Sequence, residues 1–357
     1  MSYKILFAFL ALSSIAFAGE KLIFEDNFDK LDFRTWAHEQ TLSGGGNWEF
    51  EWYVQNRSNS FVRDGVLYLK PTLTNDYIGD DGLYTSTQSI WGGSPADLCT
   101  SNAFYGCERS ALGGGTVINP VRSARLRTAE SFSFKYGRVE ISAKMPRGDW
   151  LWPAIWMLPR DLEYGLWPAS GEIDILESRG NDESYGASGV DKFASTLHWG
   201  PNWDMNRYEL THAEYAHSEG LDKEFHTYGL YWDENGLYTY FDDESQKVLQ
   251  VDFTEESFYE RGGYSSMNLD NPWVGESNAA PFNREFYLIL NVAVGGTNGY
   301  FPDGFGGKPW SDTSPTASTD FWGQKDNWYS TWNGDAVAMQ IDSIKVWSFD
   351  DSTETTQ

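Results

Sequence analysis

Positive charge, cysteine, histidine and long apolar runs are all scarce in this chain of 357 residues. Its 26 Lys and Arg stand against 52 Asp and Glu, a formal net charge of −26. That balance argues against nucleic acid or an anionic membrane as a partner, because both are held by cationic surfaces. No stretch approaches the roughly 20 apolar residues that cross a bilayer. The one short apolar run, Ile5 to Leu12, follows Lys4 and precedes Ala16-Phe17-Ala18. This is the charged, apolar and small-x-small order of a secretory signal peptide. Residues 1–18 are therefore expected to be a signal peptide, and the protein to be secreted. With only two cysteines, Cys99 and Cys107, a disulfide framework is excluded. In an oxidising compartment the pair is expected to close one short-loop disulfide.

Other absences narrow the chemistry further. His212 and His217 are five apart, so they do not meet on a helical face as a zinc pair would. Gly113-Gly114-Gly115 lacks the Lys-Ser/Thr that completes a phosphate loop. There is no internal repeat, linker or heptad pattern. No metal site and no cofactor are expected from the residues, and the chain is expected to be a monomer.

What is present favours strands. The chain has 17 Trp, 20 Tyr, 22 Phe and 35 Gly, and such residues suit pleated segments and turns. Strand-like pieces run from Phe61 to Leu69, broken by the turn pair Asp64-Gly65, and from Arg138 to Met145 with alternating polarity. Others span 226–232, 236–241, 247–253, 286–294 and 336–347. The run 288–294 is almost continuously apolar and is expected to be buried on both faces. Arg138 and Glu140 read as a solvent face. Residues 77–117, rich in Gly, Ser and Asp, read as a long surface excursion braced by the disulfide. Many short strands with Gly, Asp and Asn turns predict an all-β sandwich. Residues 19–349 are expected to form one domain, followed by a flexible acidic tail at 350–357.

The most informative stretch is Gly171-Glu172-Ile173-Asp174-Ile175-Leu176-Glu177-Ser178. It sets three acids into an apolar strand pattern, which acids normally avoid. With a side-chain period of two, Glu172 and Asp174 share a face and Glu177 points away. A β-bulge at Ile175-Leu176 would return Glu177 to their side. A retaining glycosidase needs such a pair, one carboxylate to attack the anomeric carbon and one carboxyl to protonate the leaving oxygen, roughly 5–5.5 Å apart. Asp174 between them would tune their ionisation. From spacing alone, an edge strand with acids for solubility fits equally well.

The flanks weigh toward catalysis. Trp152 and Trp156, in Trp150-Leu151-Trp152-Pro153-Ala154-Ile155-Trp156, share a strand face, and tryptophan faces stack on sugar C–H patches. Some of so many aromatics must be core, and Trp310, Trp322, Trp328 and Trp332 are expected mostly to be so. Here the sequence resembles glycoside hydrolase family 16, in its laminarinase (β-1,3-glucanase) branch. The Glu-x-Asp-x-x-Glu signature and the Trp-Pro-Ala-x-Trp run carry the likeness. Further matches are Phe134-Lys135-Tyr136-Gly137-Arg138, Ser123-Ala124-Arg125-Leu126 and, to the N-terminal part of animal-type laminarinases, Gly46 to Tyr53 with Asn56-Arg57-Ser58.

The resemblance implies a jelly roll of two antiparallel sheets with a concave carbohydrate cleft. It implies Glu172 as nucleophile, Glu177 as general acid and base, and His198 near the acids, where a merely structural histidine reads equally well. It sets Asn56 and Arg57 at the glycone end of the cleft, where a glycan on the Asn56 sequon would obstruct. It allows a structural calcium ion, although no ligand cluster identifies one. The expected function is a secreted retaining endo-β-1,3-glucanase acting on a β-glucan polysaccharide. The alternatives are a non-catalytic glucan-recognition protein on the same fold, and hydrolysis of mixed-linkage β-1,3-1,4-glucan.

Overall fold

The apolar run Phe286–Val294 becomes a strand inside a seven-stranded antiparallel sheet, and its last seven residues are all buried. In spatial order that sheet is His212–Ala216, Lys192–His198, Glu172–Ser178, Leu151–Pro159, Phe286–Val294, Arg125–Arg127 and Ala37–His38. The computed structural model describes residues 19–92, 98–111 and 115–349. The expected signal peptide at 1–18, the tail at 350–357, and Gly113 and Gly114 lie outside the described residues.

Behind the first sheet lies a second of eight strands. Its path runs Asp243–Asp252, Gly236–Phe241, His226–Trp232, Gly137–Lys144, Met339–Phe349, Val66–Leu69 and Ser60–Arg63, and Glu20–Asp26 also pairs with Met339–Phe349. The alternation of the facing strands sends Ile173, Leu176 and Phe193 from one sheet and Ile141, Leu230 and Phe241 from the other into one core. Phe193 meets Tyr228 edge to face at 5.2 Å across that core. Burial of this kind stabilises by roughly 25 cal/mol per Å2 of apolar area, and it fixes the stacking of the sheets. The architecture is a jelly-roll β-sandwich.

Local chemistry sets several of these boundaries. The turn Asp64-Gly65 has both residues at positive φ, 54° and 77°, as a two-residue hairpin between right-twisted strands requires. Asp233 accepts hydrogen bonds from the backbone N–H of Asn235 and Gly236 and so closes the turn into Gly236–Phe241. The segment read as a surface excursion holds a helix at Asn75–Thr85, interrupted at Gly79, and a short hairpin of Thr87–Ser89 with Glu108–Ser110. The Cys99–Cys107 disulfide is formed beside it, with the Cα atoms 5.4 Å apart.

One expectation about the second sheet is wrong. Arg138 is buried rather than solvent-facing. Glu20, on the strand that pairs with Met339–Phe349, takes its guanidinium with bonds of 3.0 and 2.7 Å, and the Trp347 ring lies 3.9 Å away. Glu140, only partly exposed, is its other carboxylate partner.

Candidate active site

The acidic strand Glu172–Ser178 sits between Leu151–Pro159 and Lys192–His198. Asp174 pairs with Thr196 and Glu177 with Ala194, so Ile175 and Leu176 together oppose Ser195 alone. This is a bulge of two residues against one. Ile173, Ile175 and Leu176 all enter the core, while Glu172, Asp174 and Glu177 line a single cleft. The irregularity is held from beneath. Ser195, fully buried, donates from Oγ to the Ile175 carbonyl at 2.7 Å. Thr239 of the opposite sheet donates in turn to Ser195 Oγ at 2.8 Å. A carbonyl that the bulge would otherwise orphan in the core is thereby satisfied. Nothing in the sequence pattern pointed to Ser195 beyond a small polar residue in a strand.

Each glutamate is oriented by an indole N–H. Trp152 Nε1 donates to Glu177 Oε1 at 2.9 Å, and Trp167 Nε1 donates to Glu172 Oε2 at 2.9 Å. The Trp152 ring is fixed by a parallel stack on Tyr300, centroids 3.8 Å apart. Tyr300 donates from its hydroxyl to the Ser178 carbonyl and is covered by the Arg179 guanidinium.

His198 pairs with Glu172 across the ladder and brings Nε2 to 3.2 Å from Asp174 Oδ2 and 3.7 Å from Glu172 Oε1. Its other nitrogen settles the tautomer. Asn206 Oδ1 accepts from the Trp199 backbone N–H, which can only donate, so Asn206 Nδ2 faces His198 Nδ1 at 2.7 Å as donor. The neutral ring then carries its proton on Nε2, aimed at the acids. Asn206 is a site residue that the sequence reading missed.

This crowding governs ionisation. Burial, then the nearby Asp174 charge, pushes Glu172 up to about 8. Burial and the charge of Glu177 push Asp174 well above the usual carboxylate range. Burial also raises Glu177, against the pull of His198 and the Trp152 hydrogen bond. Three carboxyls in one dehydrated patch do not all ionise, and one proton held by Asp174 removes its repulsion of Glu172. Glu172, Asp174 and His198 also offer ligand atoms within 4.8 Å of one another. A cation there would need the Nε2 lone pair, which the Asn206 contact fills with a proton, so this donor set does not fit a metal.

The cleft has a volume of about 1180 Å3. Trp152 and Trp156 both line it, but they are largely engaged. Trp152 is 7 % exposed with Tyr300 on its face. Trp156 donates from Nε1 to Asn291 Oδ1 at 2.7 Å and has Arg125 over its ring. The open rings are ones the sequence did not single out, namely Trp167, Trp203, Tyr208 and Phe104. Asn56 and Arg57 do not line the cleft. They form the turn that leads into Ser60–Arg63 of the other sheet. There Arg57 packs on Phe33 and donates to Ser60 Oγ, and Asn56 Oδ1 accepts from Ser58 N. From that position a glycan on Asn56 would not obstruct the cleft. Trp310, Trp322 and Trp328 are buried in the core.

Comparison with known proteins adds an independent line. A family model described as glycosyl hydrolases family 16 matches residues 109–285. A β-1,3-glucan-binding protein of Penaeus monodon is 53 % identical over 341 residues, covering 93 % of this chain and 91 % of that one. β-1,3-Glucan-binding protein 1 of Manduca sexta is 30 % identical over 349 residues, covering 95 % and 68 %. Among solved structures, the laminarinase of Rhodothermus marinus matches with a TM-score of 0.55 at 24 % identity, over 92 % of this chain and 98 % of that one. At that identity the likeness is one of fold.

Proposed function

Because the chain belongs to glycosyl hydrolase family 16, we propose that it is a secreted endo-β-1,3-glucanase that retains anomeric configuration. The observation that carries this reading is the inward turn of Glu177 beside Glu172 and Asp174, each glutamate held by its own indole N–H. In the first step a Glu172 oxygen attacks the anomeric carbon and forms a glycosyl ester. The bond to the leaving oxygen breaks as the Glu177 carboxyl gives that oxygen its proton. In the second step Glu177, now a carboxylate, takes a proton from water. The resulting nucleophile attacks the same carbon and releases Glu172. Asp174 holds a proton next to Glu172 and keeps the nucleophile's charge affordable in a dehydrated site. The signal-like leader and the disulfide support the extracellular setting.

A second reading is favoured by the relatives' names. Both are called β-1,3-glucan-binding proteins, so glucan recognition without turnover is the competing function. One experiment separates the two. The mature chain and its Glu172→Gln variant are incubated with laminarin, with mixed-linkage β-1,3-1,4-glucan and without glucan, and reducing ends and binding are measured. Hydrolysis of laminarin by the parent, lost by at least about 1000-fold in the variant while binding persists, is the expected outcome. Binding by both with hydrolysis by neither would establish recognition alone. Faster release from the mixed-linkage polymer would reassign the substrate.

A further inference from the structure

Three aromatic residues near one end of the cleft hold a backbone conformation that L side chains rarely adopt. Trp48, Phe104 and Tyr105 have φ of 55°, 51° and 63°. For bulky residues this is strained, and burial offers no recovery of the cost. Trp48 is 49 % exposed, Phe104 47 % and Tyr105 74 %. Trp48 and Phe104 meet edge to face with centroids 5.5 Å apart, and Phe104 lines the cleft beside Gly45, Gly46 and Asn47. This is the Glu177 side of the acids. Asn47 O accepts from Thr297 N, three residues before the Tyr300 ring that stacks on Trp152. Trp167 and Tyr208, by contrast, lie against His198 on the Glu172 side.

The loop that presents Phe104 is tied down along its length. The Cys99–Cys107 disulfide closes it. Leu42 N donates to Gly106 O, and Thr41 Oγ1 donates to Ser101 O, each at 2.8 Å. Arg109 donates to Phe104 O at 2.8 Å and to Asn119 Oδ1 at 3.0 Å, and Asn119 donates to the Glu51 carbonyl at 2.7 Å. A strained, exposed and rigidly held pair of rings, continuous with a sugar-sized cleft, is a pre-organised stacking surface.

We propose that Trp48 and Phe104 form a distal platform that binds the outer glucose units of a long, neutral β-linked chain, so that this protein discriminates by chain length. The inference rests on the reading of the cleft as a β-glucan site. The platform is uncharged, and ring faces suit the C–H face of a β-glucose unit. Its contribution appears only when a ligand extends past the acids.

The test uses Phe104→Asn and Trp48→Asn, singly and together, in the mature Glu172→Gln chain so that ligand is not consumed. Asparagine removes the ring yet tolerates left-handed φ better than an aromatic residue does, so the fold is spared. Affinities for laminarin and for laminaritriose are measured by calorimetry, and melting temperatures are recorded alongside. The double variant is expected to lose about tenfold in laminarin affinity, to keep its laminaritriose affinity, and to melt no lower than its parent. Unchanged laminarin affinity, or equal loss for both ligands, overturns the platform. If the parent chain binds neither ligand, the cleft reading itself fails and takes this inference with it. If the parent binds both ligands and the platform variants bind them as the parent does, the cleft reading stands and the platform alone is lost.

Discussion

The pair His198 and Asn206 shows how much a single polar contact decides. Were Asn206 absent, the imidazole could carry its proton on either nitrogen, and the donor now aimed at Asp174 would be present only part of the time. Asn206→Ala is expected to lower kcat about tenfold with little change in KM, since the open rings Trp167, Trp203, Tyr208 and Phe104 stay in place. Nitrogen NMR of the His198 ring would show a mixed tautomer in the variant and a single Nε2–H form in the parent. A single form in both would remove Asn206 from this role. Glu172 gives a second prediction at this scale. Its value in the folded chain is about 8 against an ordinary 4.5. Between those two pH values the unfolded chain has released a proton that the native acids keep among them, so stability falls as pH rises through that window. Glu172→Gln removes the loss. The variant should melt higher than the parent at pH 7–8, by about 1–2 kcal/mol after allowance for partial solvent access. The difference should vanish below about pH 4.5. An inactive variant that is more stable only at the higher pH would mark the acids as a site held against its own electrostatics.

Among the elements, the bulged strand was the most legible from sequence and its support the least. Acids interrupting Ile-x-Ile-Leu stand out because they violate a strong local pattern, and Asp64-Gly65 stands out because so few pairs accept two positive φ angles. Ser195 and Thr239 carry no such signature. Each is an ordinary strand residue whose meaning depends on a partner brought to it by another strand, the Ile175 carbonyl for Ser195 and the Ser195 hydroxyl for Thr239. The same holds for Arg138, which alternation placed toward solvent; its partner Glu20 is 118 residues away in sequence. Phe104, Trp203 and Tyr208 lie in short turns without periodicity, so no pattern could mark them as cleft residues. The hydroxyl bridge is testable in its own right. Ser195→Ala leaves the Ile175 carbonyl without a donor in the core and should cost about 1–3 kcal/mol. It should also lower kcat, with a displaced pH limb, because Glu177 lies two residues beyond that carbonyl. Thermal melts and a pH–rate profile would check this. A stability loss with an unshifted profile would make Ser195 purely structural.

At the scale of the whole molecule, the sandwich confines its chemistry to one face of the seven-stranded sheet. The full chain has a formal charge of −26, and the open cleft rings are neutral. Binding of a neutral polysaccharide should therefore be nearly independent of ionic strength, since little charge is neutralised on association. Laminarin affinity measured from about 50 to 500 mM salt should vary less than about twofold, and heparin should not compete. A steep salt dependence or competition by heparin would point to an anionic ligand instead. The fold class, the two-layer arrangement and the position of the acids were all within reach of the sequence, because each follows from local pattern or turn chemistry. The depth and furnishing of the cleft were not, because they arise where distant loops meet.

The unpaired step between Asp174 and Glu177 separates counting along the chain from position in space. A regular ladder returns to the same face after any even number of residues, so a version of this strand shortened by one at Ile175 or Leu176 would still present its final glutamate inward. Two glutamates four apart in a regular strand and two glutamates five apart across this bulge are thus one constellation written in two ways. The extra residue is felt behind the sheet, where it adds an apolar side chain to the interior and hands Ser195 a carbonyl to hold.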